Sequence, residues 1–212
     1  HKLGFNAPIT GIALDSTDHR LFLSDTSNHR VLVYGLDADN TLTDRVPDYV
    51  LGQTNFFSAG TARTQVALNA PNGLAYDDAK NRLFVVNGGS HRVTTYDVTT
   101  IENGEAAAHV LGQASFTAYT AVSTQVGMNV PVDVAYDGAN ERLFVAETTG
   151  NREKVYNFSP GIRDGLNAET ALGQTDSSLS DPQPIFTKTA ANNGPNPLGL
   201  NAPITGLALD TA

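Results

Sequence analysis

Arg20-Leu21-Phe22-Leu23-Ser24-Asp25-Thr26-Ser27-Asn28-His29-Arg30-Val31-Leu32-Val33-Tyr34 reads as two short strands around a polar turn. Its flanks are β-branched, aromatic or leucine. Its middle is small polar residues whose side chains hydrogen-bond nearby backbone and tolerate left-handed conformations. Upstream, Gly11-Ile12-Ala13-Leu14 reads as a strand leading in, with Asp15-Ser16-Thr17-Asp18 as the turn. Downstream, Asp37-Ala38-Asp39-Asn40 turns the chain towards a fourth strand, Asp48-Tyr49-Val50-Leu51-Gly52. No segment sustains a helical period.

The unit repeats. Arg20-Leu21-Phe22 returns as Arg82-Leu83-Phe84 and Arg142-Leu143-Phe144, and Leu51-Gly52-Gln53 as Leu111-Gly112-Gln113 and Leu172-Gly173-Gln174. These two markers recur every 60 to 62 residues. Asn6-Ala7-Pro8 returns as Asn69-Ala70-Pro71, Asn129-Val130-Pro131 and Asn201-Ala202-Pro203, at spacings of 63, 60 and 72. A repeat of four antiparallel strands without a helix is a β-propeller blade rather than a turn of a helical solenoid. The expected fold is all-β: three blades (about 6–57, 69–116 and 129–176) and the first strand of a fourth, 201–210. The long third Asn-x-Pro interval reads as a surface-loop insertion, 180–197, rich in Pro and Asn.

Composition narrows the partners. The 212 residues carry a net charge of −9, with 13 Lys and Arg spread along the chain. Nucleic-acid binding needs cations gathered on one face, so it is not expected. No run of eighteen apolar residues marks a membrane span. The first residues, His1-Lys2-Leu3-Gly4-Phe5, lack the apolar stretch of a signal peptide and read as the inside of a domain. Without cysteine there are no disulfides and no thiol chemistry.

Pro71-Asn72-Gly73-Leu74-Ala75-Tyr76-Asp77, Arg82-Leu83-Phe84-Val85-Val86 and Ser90-His91-Arg92-Val93 resemble the NHL repeat, and the first copy resembles it more closely. The resemblance spans essentially the whole chain. It departs in blade length, in Asn87 where the first copy has Asp25, and in Glu147 with Asn151 one place late. It implies a scaffold whose loops and channel mouth meet protein partners. Six-bladed relatives include metal-dependent lactonases and a peptide-amidating lyase, and some animal members bind RNA. On that analogy Thr10, Asn72, Asp133 and Thr205 stand at the channel mouth as candidate binding residues.

The recurring polar residues read as structural. Asp15, Asp77 and Asp137 cap tight turns and face Arg20, Arg82 and Arg142 across the hairpin. Asp25 and Asn28 hold the next turn, beside Arg30 and its counterpart Arg92. A catalytic site needs unlike residues converging once, not one pair per blade. Calcium wants about six to eight oxygen ligands, more than such turns readily supply, so no catalytic residue, metal ligand or cofactor is expected, with calcium as the alternative.

Gly4-Phe5-Asn6-Ala7-Pro8-Ile9-Thr10-Gly11-Ile12-Ala13-Leu14-Asp15 is nearly repeated by Gly199-Leu200-Asn201-Ala202-Pro203-Ile204-Thr205-Gly206-Leu207-Ala208-Leu209-Asp210. The duplicated unit is thus three blades, half of a six-bladed ring. An open array leaves apolar faces and strand edges bare. The expected partner is therefore the rest of a longer propeller or further copies of the chain. The expected function is a non-enzymatic binding or self-assembling module, extracellular or at the cell surface.

Overall fold

The computed structural model describes residues 9–176, 180–190, 200 and 204–210. Every regular element among them is a strand, apart from two 3-10 turns, Thr26–Asn28 and Gly88–Ser90. The first sheet holds β1 (Ile12–Asp15), β2 (Arg20–Asp25), β3 (Arg30–Gly35) and β4 (Tyr49–Leu51). The second holds β5 (Pro71–Asp77), β6 (Arg82–Asn87), β7 (Arg92–Asp97) and β8 (His109–Leu111). The third holds β9 (Pro131–Asp137), β10 (Arg142–Glu147), β11 (Arg152–Asn157) and β12 (Thr170–Leu172). In each sheet neighbouring strands follow chain order, and all pairs are antiparallel. The sequence-read strands lie within these sheets, shifted by a residue or so at their ends.

Register explains why both faces of a sheet are apolar. Side chains alternate along a strand, so Ala13, Phe22, Val33 and Val31 share one face while Ile12, Leu14, Leu21 and Leu23 share the other. The first set packs against the Leu74, Leu83, Val85 and Tyr96 face of the second sheet. The opposite face of that sheet (Ala75, Phe84, Val86, Val93) packs against Val134, Leu143, Val145 and Tyr156 of the third. Phe22 lies 5.7 Å from the Tyr76 ring, and Phe84 lies 4.9 Å from Tyr136. Burying such a ring contributes about 1.5–3 kcal/mol each time.

The first strands of the sheets run side by side, β1 next to β5 and β5 next to β9. Glycine makes this approach possible. A Cβ on Gly11 would stand 2.1 Å from the Asn72 carbonyl oxygen, and one on Gly73 2.2 Å from Asp133 Oδ1.

Three expectations need correction. The segment 204–210 forms no strand; its Leu207 N–H donates to Asp133 Oδ2 at 2.8 Å, and 201–203 lie outside the described residues. A lone inner segment has no second strand to pair with, so a backbone-to-carboxylate bond replaces a ladder. The insertion also sits earlier than 180–197. Gln174 reaches the carbonyl of Ala190, sixteen residues on, whereas Gln53 and Gln113 reach carbonyls seven residues on. The extra chain therefore falls largely before Ala190, while 191–197 lie outside the described residues. Nor is it only a surface loop: Phe186 packs on the second core, and Thr175 bridges to Pro184. Finally, Asp137 and Arg142 do not pair. Asp137 accepts from Asn140 Nδ2 at 2.7 Å and from the Ala139 and Asn140 N–H groups, and Arg142 turns to Glu169.

The outer face of the first sheet and that of the third carry apolar side chains that no other sheet among the described residues covers. Ile12 is 64% exposed, whereas its counterparts Leu74 and Val134 are 7% and 4% exposed. Leu172 is 54% exposed, whereas Leu51 and Leu111 are fully buried.

Candidate functional site

Two corners recur in each sheet. At the first corner, Asp15 accepts from the Thr17 and Asp18 N–H groups and pairs with Arg20 Nη2 at 2.5 Å. Burial pushes its carboxyl up, but the Asp18 N–H and Arg20 more than offset this, and it lies below the usual 3.8. Asp77 pairs with Arg82 in the same way, at 2.5 Å. The guanidinium then crosses to the next sheet: Arg20 donates to the Tyr76 hydroxyl at 3.2 Å, and Arg82 to that of Tyr136 at 3.1 Å. These pairs rivet neighbouring sheets.

The second corner is more buried. Asn28 Nδ2 and Arg30 Nε both donate to the Asp25 carboxylate, at 2.8 Å each to Oδ2. Arg30 Nη1 donates onward to the Phe56 carbonyl at 2.6 Å. In the third sheet Glu147 takes the place of Asp25, with Arg152 Nε at 2.7 Å and Lys154 Nζ at 3.4 Å, all three fully buried. Lys154 also donates to the carbonyls of Thr124 and Gly127. Burial brings the Lys154 ammonium down to about 8 despite Glu147, and raises the Glu147 carboxyl despite both cations. In the second sheet the equivalent residue is Asn87. Its Oδ1 accepts from the Asn69 N–H at 2.9 Å, while its Nδ2 and Arg92 Nε have no hydrogen-bond partner among the described residues. Burial lowers the Arg92 guanidinium from its usual value. Arg92 still donates to a loop carbonyl, that of Phe116, as Arg152 does to Phe186.

Two histidine links escaped the sequence reading. His29 and His91 follow the 3-10 turns with φ of 55° and 52°, and each ring accepts from the next repeat. The Ala70 N–H donates to His29 Nδ1 at 3.0 Å, and the Val130 N–H to His91 Nδ1 at 3.2 Å. The equal offset of the two histidines within their copies was the signal. The recurrent glutamines tie loops: Gln53 Nε2 bridges the His29 and Gly60 carbonyls, and Gln113 those of His91 and Thr120.

The channel-mouth candidates come together only in part. Thr10 and Asp133 line one open cleft of about 350 Å³ with Gly11, Leu74 and Leu207. Their polar atoms are already engaged. Thr10 Oγ1 meets Thr26 Oγ1 at 2.6 Å, and the Asp133 oxygens accept from the Val134 and Leu207 N–H groups. Asn72 contributes a backbone carbonyl to Ser24 Oγ at 2.5 Å, and Thr205 is exposed on the segment 204–210. Among the described residues no three His, Asp or Glu side chains gather where a metal ion could be held. Nor is any described helix long and apolar enough to cross a membrane.

Comparison with known proteins gives distant likenesses. No protein-family model matches the chain. The chain is 24% identical over 189 residues to the chloroplastic protein Suppressor of Quenching 1 of Arabidopsis thaliana, covering 86% of this chain but 16% of that protein. Among solved structures, a chain of a nidogen/laminin complex aligns at a TM-score of 0.47 with 16% identity, over 79% of this chain and 50% of that one. A chain of Kuenenia stuttgartiensis hydrazine synthase also aligns at 0.47, with 15% identity, over 76% and 35%. The all-β array of three four-stranded antiparallel sheets stands on the structure of the chain itself.

Proposed function

We propose that this chain is a three-blade stretch of an NHL-type β-propeller that works as a protein-binding and self-assembling module rather than as an enzyme. The observation that carries the proposal is the pair of uncovered apolar outer faces, where Ile12 and Leu172 are more than half exposed at positions buried elsewhere in the array. A surface of that kind marks association. The recurrent Asp, Arg and Gln side chains support the same reading, because all but Arg142 are spent on capping a turn, riveting two sheets or tying a loop. The acidic charge fits a secreted or cell-surface setting. Sedimentation equilibrium of the purified chain over a wide concentration range tests the proposal. The expected result is a mass that climbs above 22.4 kDa with concentration; a folded monomer throughout sinks the self-assembling reading.

A further inference from the structure

The two outer faces carry the strand positions that form the two sides of an interface the chain builds twice. The face of the first sheet that meets the second carries Ala13, Phe22, Val33 and Leu51; the same positions on the third sheet's outer face are Ala135, Phe144, Val155 and Leu172. The receiving face of the second sheet carries Leu74, Leu83, Val85 and Val110; the same positions on the first sheet's outer face are Ile12, Leu21, Leu23 and Val50. We infer that the outer face of the third sheet docks onto the outer face of the first sheet of a second copy of this chain, head to tail. This rests on the self-assembling reading and names the surfaces it uses.

Two independent features select the first sheet as the occupant. The segment after the third sheet, Pro203 to Asp210, differs from Pro8 to Asp15 only in Leu207 for Ile12. Its described part passes beside β9, with Gly206 and Leu207 against Asp133 much as Asp133 lies against Gly73. The place next to β9 therefore suits a β1-type strand.

The second feature is the rivet. At both internal junctions an Arg donates to a Tyr hydroxyl of the following sheet. The first sheet has Leu14 at that tyrosine's position, and Arg142 correspondingly spends its guanidinium on Glu169 within its own sheet. Neither side is left with an unmet donor. A docked copy brings its own β1 to the place that 204–210 holds, so that segment is displaced on assembly.

The contact is heterologous, each needing one face of each kind, so it propagates until it closes or runs on as an array. Ile12→Arg and Leu172→Arg test it, both at exposed positions that leave the fold intact by circular dichroism. Sedimentation velocity at a concentration where the unaltered chain associates should show each variant alone as a monomer. An equimolar mixture should form a dimer and stop there, because each variant keeps the face the other has lost. Glu153→Val, which restores the valine found at Val31 and Val93, should tighten association at least tenfold. Deletion of 204–212 should tighten it as well.

If either charged variant alone assembles like the unaltered chain, or if the mixture stays monomeric, the head-to-tail contact is wrong while self-assembly stands. Loss of association on deleting 204–212 also overturns the contact in this form. An unaltered chain that never associates removes the underlying reading too.

Discussion

The second corner of the second sheet and that of the third share a backbone plan and differ in charge. In the third, Arg152 and Lys154 surround Glu147 with no access to water; in the second, Arg92 is equally buried, and the residue opposite it across the strand pair is the amide Asn87 rather than an acid. Yet both arginines reach a phenylalanine carbonyl in the following loop, as does Arg30. The part of the device that never varies is thus the cation-to-loop tie. The acid is a local means of making a buried cation tolerable. Desolvating a guanidinium costs several kcal/mol, and a carboxylate offsets this only where its remaining lone pairs are also met.

The comparison can be pushed from both sides. Glu147→Ala should be the most damaging change, since it leaves two buried cations without a counter-charge; a loss of about 3–5 kcal/mol in urea denaturation is expected. A loss below about 1 kcal/mol would mean that the loop carbonyls alone hold the third corner. Asn87→Asp runs the comparison backwards. One oxygen keeps the Asn69 N–H and the other meets Arg92 Nε, so stability should rise by about 1 kcal/mol. Unchanged or lowered thermal stability would show that the second corner is already balanced. The smallest effect comes from the histidine link beside these corners. Burial holds His91 below its ordinary 6.5, so the folded state binds fewer protons than the unfolded chain as pH falls. Stability is full above pH 6.5 and declines as pH drops from there towards the folded value. His91→Asn, copying Asn151, should flatten that decline in thermal melts taken between pH 7 and 5.

Much of this was written in the chain. Strand positions followed from the markers Arg-Leu-Phe and Leu-Gly-Gln, because a period of about 60 residues cannot arise without one unit being reused. The Asp15–Arg20 and Asp77–Arg82 pairs were legible because acid and base close a four-residue turn. The same spacing misled at Asp137, where Asn140 takes one carboxylate oxygen and Glu169, 27 residues beyond Arg142, captures the guanidinium. A long-range partner leaves no mark in a local pattern. The insertion was misplaced for a related reason. Composition drew attention to the Pro- and Asn-rich end, whereas the fixed points are Gln174 and the carbonyls of Phe186 and Ala190. Of the channel-mouth residues, sequence brought Thr10 and Asp133 to one cleft, but it could not say that backbone amides and a neighbouring hydroxyl already occupy their oxygens.

The imidazole links have a consequence for how the array comes apart. Each of the first two repeats finishes its turn with a backbone donor that belongs to its successor, whereas Asn151 in the third turns its amide to the Thr189 carbonyl instead. Coupling therefore runs between nearest neighbours, and the amide of the third repeat stays within its own repeat. In a one-dimensional lattice of this kind, stability is the sum of unit terms and junction terms. Damage to one junction then lowers the whole by a single increment, and fraying begins at whichever end has the fewest junctions.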